Sequence, residues 1–146
     1  MKSYKFYGHN TRSVFPINEE FKDIKDQRHL YDLLSECWCK ETCAPRMQNE
    51  WNNQENLTLG QCSITSFLVQ DIFGGLVYGV PLEDGAYHCF NVIDNVVFDL
   101  TSEQFHGKPL DYNHVALQIR EEHFISEEKY QRYLLLKRKL KEKLSK

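Results

Sequence analysis

The chain has 146 residues, enough for one domain and too few for two ordinary ones, so residues 1–146 are read as a single domain. Its 41% hydrophobic and 13% aromatic residues can build a packed core, and a domain of this size buries roughly 68–70% of its unfolded surface without disulfides or metal. Net charge is −3, but residues 126–146 carry eight Lys/Arg against three Glu, a local +5 that leaves −8 for the rest, so the acidic body offers no nucleic-acid footprint.

The N-terminus, Met1 to Tyr7, lacks the apolar stretch and small-residue cleavage site of a signal peptide. Mean hydropathy is −0.58, and no apolar run approaches the ~18 residues of a membrane span. A cytoplasmic protein that does not bind membranes is expected. The five cysteines, Cys37, Cys39, Cys43, Cys62 and Cys89, suit a reducing compartment, because an odd number cannot pair completely.

Asn18 has the character of an N-cap, with Glu19 and Glu20 favoured in the first turn by the helix dipole. Phe21, Ile24, Leu30, Leu33, Leu34, Cys37 and Trp38 follow at helical spacing, with a candidate break near Asp26, and Ala44-Pro45 ends the segment. Residues 46–59, rich in Asn and Gln, are a predicted loop. A buried helix is predicted from Cys62 to Phe73, stopped by Gly74-Gly75. Leu76–Val80 is a predicted strand. Tyr87–Ile93 and Val96–Leu100 are predicted to form a hairpin across Asp94-Asn95, a pair suited to a two-residue turn. Thr101-Ser102-Glu103-Gln104 has capping-box spacing, and a short helix is expected there. Residues 106–114 are a loop, 115–119 a candidate strand, and Ser126 caps a last helix reaching about Leu144. Helices, an antiparallel sheet and a closing helix make an α+β pattern.

The chemistry concentrates around Cys62. A cysteine in the first turn of a helix lies among unpaired N–H groups at the positive end of the dipole, which favours the nucleophilic thiolate and supplies donors for an oxyanion. Gly60 would allow substrate to approach, and Gln61 is a candidate oxyanion donor through its side chain. In the hairpin, a two-residue turn pairs Ile93 with Val96, Phe90 with Asp99 and His88 with Thr101. His88 and Asp99 then become diagonal neighbours on one face, within roughly 7–8 Å. An odd turn would separate them. Cys62 as nucleophile, His88 as base and Asp99 as orienter satisfy the logic of a triad. Spacing alone is equally met by a buried small hydrophobe, a satisfied strand histidine and a strand-end hydrogen-bonder.

Four blocks occur in order: Gly60-Gln61-Cys62-Ser63-Ile64-Thr65, Val69-Gln70-Asp71-Ile72-Phe73-Gly74-Gly75, His88-Cys89-Phe90-Asn91, and Asp99-Leu100-Thr101-Ser102-Glu103-Gln104-Phe105. Trp38 with Glu41-Thr42, Trp51 near Asn56, and the Tyr133–Leu140 region accompany them. Together they resemble the YunG-like family of small bacterial proteins, over roughly residues 30–140. That family is similar to papain-like and transglutaminase-like Cys-His-Asp proteins. The resemblance implies a papain-like fold, a triad of Cys62, His88 and Asp99, and Gln61 as oxyanion helper. Cys89 departs from it, standing where the family tends to have an aromatic residue, with local packing as the expected consequence.

Two further patterns bear on function. Cys37, Cys39 and Cys43 are dense enough to suggest zinc, but a second ligand pair is missing, and His9, His29, His106, His114 and His123 stand at no ligand spacing. Helix packing accounts for the cluster, and no metal or other cofactor is expected. The last helix, with Tyr130, Tyr133, Leu134, Leu136, Leu140 and Leu144 among lysines, is expected to dock on its own domain and not on a membrane. The leading expectation is a cysteine hydrolase or acyl transferase. It would act on an amide, thioester or ester carbonyl of a small molecule, peptide or protein through a Cys62 acyl-enzyme. The alternatives are a non-catalytic binding or regulatory module on the same scaffold, and a metal-binding protein using residues 37–43.

Overall fold

A computed structural model describes residues 3–146. Its elements follow the α+β order, with four helices and one small antiparallel sheet. The first helical stretch is broken, as the Asp26 signal suggested. Glu19–Phe21 form a 3-10 turn, and Asp26 is the extended N-cap of helix α1 (Gln27–Ser35), its carboxylate accepting from His29 N–H. Beyond α1 the chain makes two more 3-10 turns, Lys40–Thr42 and Pro45–Met47. Cys39 is therefore the extended cap of a turn, and Cys39 and Cys43 do not share a helix face. Cys37 and Cys43 are buried among protein atoms.

Helix α2 (Cys62–Phe73) is the centre of the molecule. It buries residues on all sides, including Ile64, Phe67, Leu68, Val69 and Ile72, as a helix apolar all round must. The sheet covers one flank. Strands β1 (Leu76–Pro81), β2 (Tyr87–Ile93), β3 (Val96–Phe98) and β4 (Ala116–Leu117) stand in the order β3-β2-β1-β4. Asn91 of β2 donates its side-chain amide to the Ser66 carbonyl of α2 at 2.9 Å, pinning helix to sheet.

The hairpin register follows the turn. Ile93 pairs with Val96, Val92 with Val97 and Asn91 with Phe98. Asp94 and Asn95 take φ values of 50° and 67°, the left-handed pair that a two-residue turn requires. The strand expected to reach Leu100 ends at Phe98, and the Phe90–Asp99 and His88–Thr101 pairings are not made. At Asp99 the partner changes: its N–H donates to the Tyr7 carbonyl at 2.9 Å. Gly8 lets the N-terminal segment lie there, since a Cβ on it would stand 2.2 Å from the Val97 carbonyl oxygen.

Ser102–Phe105 is a 3-10 turn, but the capping box does not form. Thr101 turns back to Asp99 instead, giving its N–H and its hydroxyl to Oδ1 at 3.2 and 3.3 Å. A one-turn helix α3 (Arg120–His123), not anticipated from the sequence, precedes α4 (Glu127–Leu144). Helix α4 docks as expected: Tyr133, Leu136 and Leu140 are buried, while Leu134 stays exposed. Its cations face the acidic body, Lys137 and Lys141 near Glu20 and Lys143 near Glu36. Among the described residues no helix is long and apolar enough to cross a membrane.

Candidate active site

Cys62 is the first residue of α2, and its helix end is open. Gln61 at the N-cap makes no side-chain capping bond. The first-turn N–H groups, which a helix cannot satisfy internally, thus keep their positive potential at the sulfur. Cys62 is partly exposed on a cleft of ≈ 700 Å³ that Gly60, His88, Gln104, Lys129 and Arg132 also line.

The three expected triad residues meet. His88 and Asp99 are both buried, and His88 Nε2 lies 2.6 Å from Asp99 Oδ2. Cys62 and His88 line the same cleft, close enough that each shifts the other's ionisation. With Nε2–H given to Asp99, Nδ1 is the nitrogen left to exchange a proton with sulfur.

The Asp99 carboxylate is saturated: Oδ1 accepts twice from Thr101, and Oδ2 accepts from His88 and from the Tyr112 hydroxyl at 2.7 Å. Burial pushes the His88 pKa down, but the Asp99 charge and hydrogen bond, with the Cys62 contact, outweigh it and raise the ring to about 10. The Cys62 pKa falls well below that of an ordinary thiol. The foremost cause is hydrogen bonding from the Cys89 thiol; burial opposes it, and the His88 hydrogen bond and charge and the Cys89 N–H reinforce it. Both shifts favour the thiolate–imidazolium form of the pair over the neutral one.

Gln61 takes a different place from the one expected. It is fully buried, it does not line the cleft, and its amide nitrogen donates to the Cys39 carbonyl at 3.0 Å. Its Oε1 is buried without a hydrogen-bond partner. Gln61 braces the 39–43 turn through this bond and offers no side-chain donor to the cleft. Gly60 does border the cleft, and it also has a structural reason to be glycine. Its φ is +71°, and a Cβ would lie 2.6 Å from Cys43 Sγ.

Sequence reasoning missed four residues. Tyr112 lay in a predicted loop, yet its hydroxyl holds Asp99 and its ring stacks on Tyr7 at 3.9 Å. Gln104 carried the capping-box signal. Its amide nitrogen instead donates to the Thr101 carbonyl at 3.1 Å and lies 3.3 Å from His88 Nδ1, while its Oε1 receives the Gly60 N–H at 3.5 Å. Only the quoted Glu103-Gln104-Phe105 block pointed at it. His123 and Lys129 form the opposite wall. Burial first, then Lys129, lowers His123 to about 4, so the ring is neutral near pH 7. It accepts from Lys129 Nζ at 2.9 Å and donates to Gln118 Oε1 at 2.8 Å. The ring thus holds an ammonium at the cleft that has no carboxylate partner among the described residues.

A family model described as "YunG protein" matches residues 26–145. The chain belongs to the YunG family. One YunG relative, the uncharacterised protein YunG of Bacillus subtilis (strain 168), is 34% identical over 105 residues, covering 70% of this chain and 84% of the relative. The YunG match contains all of Cys62, His88, Asp99, Gln104 and Tyr112. No solved structure matches this YunG chain.

Proposed function

We propose that the protein is a papain-like cysteine enzyme, a hydrolase or acyl transferase with Cys62 as nucleophile, His88 as base and acid, and Asp99 as orienter. The observation that carries the reading is the buried His88–Asp99 pair at 2.6 Å, with His88 lining the same cleft as Cys62 at the start of α2. The papain-like assignment rests on this order of helix-borne Cys, strand-borne His and following Asp. Five free thiols support a reducing compartment, and we place the protein in the cytoplasm.

The thiolate of Cys62 attacks the carbonyl carbon of an amide, thioester or ester, and the electron pair moves to the carbonyl oxygen, facing the first-turn N–H groups of α2. The intermediate collapses, and the leaving group takes a proton from His88 Nδ1. Water or an acceptor nucleophile then gives its proton to His88 and attacks the acyl carbon, expelling the thiolate. Asp99 holds the ring through Nε2 and stabilises its charge without taking the proton. The substrate is a small-molecule, peptide or protein acyl group that reaches the ≈ 700 Å³ cleft.

The test is peptide-resolved alkylation by iodoacetamide across pH, with p-nitrophenyl acetate as acyl donor. Cys62 should alkylate fastest of the five cysteines near neutral pH, with a half-point below the ordinary thiol value of about 8.5. It should retain one acetyl group after brief exposure to the ester. His88→Ala should move the half-point upward, and Asp99→Asn should move it the same way but less. An unreactive Cys62 in folded protein, or a profile indifferent to His88, would turn the reading to a non-catalytic binding module.

A further inference from the structure

The cleft that Cys62 and His88 share also holds a cation that the acyl chemistry does not use. Lys129 lines it from the first turn of α4, where the helix dipole disfavours positive charge. A lone pair, not a carboxylate, holds the ammonium there: Nζ donates to His123 Nδ1 at 2.9 Å. The tautomer is set from behind, because His123 Nε2 gives its proton to Gln118 Oε1 at 2.8 Å. Gln118 is fixed in turn by its Nε2, which donates to the Ala116 carbonyl at 3.1 Å. Gly79 of β1 makes room for that amide, since a Cβ there would lie 2.7 Å from Gln118 Nε2. The His123 ring packs on the Phe67 ring at 5.0 Å, and Phe67 stands about 7.5 Å along the α2 axis from Cys62. An ammonium has three N–H groups, and His123 is the one partner of Lys129 Nζ among the described residues, so the others are left for the cleft.

The surrounding charges decide what such a group binds. Arg132 is paired with Glu128 and donates to the Thr42 carbonyl at 3.1 Å, and Arg46 is paired with Asp84 at 3.3 Å. Cys62 and His88 sum to zero when the proton moves from sulfur to ring. His123, lowered to about 4 with burial as the first cause, adds no charge near neutral pH. Three cations, Lys129, Arg132 and Arg46, thus face two carboxylates, Glu128 and Asp84, and the charge left over is the Lys129 ammonium. A monoanion matches it, whereas a dianionic phosphate beside Glu128 would be only partly compensated. Pro45, Met47, Leu82 and Phe105 give the same cleft an apolar lining for the rest of a ligand.

We propose that the cleft takes acyl substrates bearing a carboxylate, as in an N-acyl amino acid or a short peptide with a free C-terminus, and that Lys129 receives that carboxylate while the reacting carbonyl lies at Cys62. The inference rests on the Cys62 enzyme reading and adds a substrate class to it. His123 holds the ammonium before substrate arrives, so less side-chain freedom is lost on binding than a free lysine would lose. The chain's net charge of −3 repels the same anion at long range, so a preference for carboxylates must arise within the cleft.

The experiment uses the full chain, freshly reduced and desalted, and two probes of one shape. N-bromoacetylglycine ends in a carboxylate, and N-bromoacetylglycinamide ends in a neutral amide. Each alkylates a thiol by displacing bromide, so the ratio of their rates at Cys62, read by peptide mapping, reports the carboxylate and cancels the reactivity of the thiol itself. The half-exposed Cys39 supplies the reference ratio within the same chain. Relative to that reference, Cys62 should prefer the carboxylate probe about fivefold or more at low salt. Lys129→Met should bring the Cys62 ratio down to the reference, and Lys129→Arg, which keeps the charge, should retain the preference. The wild-type ratio needs no variant to fold, and a value at the reference would overturn the carboxylate site while leaving Cys62 as nucleophile. A preference that survives Lys129→Met, or falls equally in Lys129→Arg, would deny the Lys129 charge its role. Failure of both probes to alkylate Cys62 would overturn the enzyme reading beneath it.

Discussion

The His88 ring has two nitrogens with different surroundings: Nε2 is held by Asp99 at 2.6 Å, and Nδ1 lies 3.3 Å from the Gln104 amide on the cleft that Cys62 lines. Protonation of this ring is therefore tied to folding. Its native pKa is raised to about 10 from a reference of 6.5, so the imidazolium contributes stability that is fully present below about pH 6.5 and is lost as pH rises through about 10. Cys62 has the opposite sign. Its native pKa is depressed, so the thiolate's contribution is present above the ordinary thiol pKa and is lost as pH falls through the lowered one. The ion pair is complete between those two limits. Chemical denaturation of wild type and His88→Ala from pH 6 to about 10.5, under reductant, should show a gap that is widest near neutrality and narrows toward about pH 10. A gap constant with pH would mean that His88 contributes only packing. Cys62, His88 and Asp99 were legible in the sequence because helix onset and hairpin parity place them. Tyr112 was not legible: no period or cap signal marks a loop residue that returns to Asp99 from thirteen positions away.

At the scale of elements, two short segments set the site's geometry. The Asp94-Asn95 turn fixes the register of β2 against β3, and both residues lie in the left-handed region. Asn95→Gly should stabilise the protein by a few tenths of a kcal/mol, and Asn95→Val should destabilise it by about 1–2 kcal/mol, because a β-branched residue is strained there. Gly60 is the second. Its positive φ and the 2.6 Å that a Cβ would leave to Cys43 Sγ predict that Gly60→Ala costs more than about 1 kcal/mol. It should also slow Cys62 alkylation, since the Gly60 loop leads directly into α2. Denaturation midpoints and alkylation rates check both; an Asn95→Val protein as stable as wild type would show that another contact holds the register. The sequence revealed the hairpin and α2 because their signals are local. It overestimated β3 because the exchange of β2 for Tyr7 at Asp99 joins residues far apart in the chain. It treated residues 37–43 as helical because apolar spacing continues after α1 although the backbone does not.

Across the whole molecule, the end of α2 away from Cys62 is fastened to the C-terminal helices through one polar cluster. Asp71 of α2 receives Arg120 Nη1 at 2.7 Å, and Arg120 Nη2 donates to the Tyr133 hydroxyl of α4 at 2.7 Å. The Tyr133 hydroxyl also donates to Asp71 Oδ2, and the Arg120 guanidinium lies 5.0 Å from the Tyr133 ring centre. By contrast, the lysine–glutamate pairs along α4 are single, solvent-reached contacts of 3.4–3.8 Å on exposed glutamates, and such pairs contribute at most about 1 kcal/mol each. The partly buried cluster, not the surface charge, should therefore hold α4 in place. Asp71→Ala leaves a guanidinium and a phenol without their shared acceptor, and should cost about 2–4 kcal/mol. At roughly 2–4 °C per kcal/mol for a chain near this size, the thermal midpoint should fall by about 4–16 °C. Tyr133→Phe keeps the ring in the core and removes only the hydroxyl, so its loss should be nearer 1 kcal/mol. In a cycle with Arg120→Met, the Asp71 and Arg120 losses should be markedly less than additive, since they share one interaction. Cys62 lies at the other end of the helix, so its alkylation rate below the melting transition should stay unchanged. A melting loss with additive single effects would deny the cluster its role. A parallel drop in Cys62 reactivity would show instead that α2 transmits strain along its length.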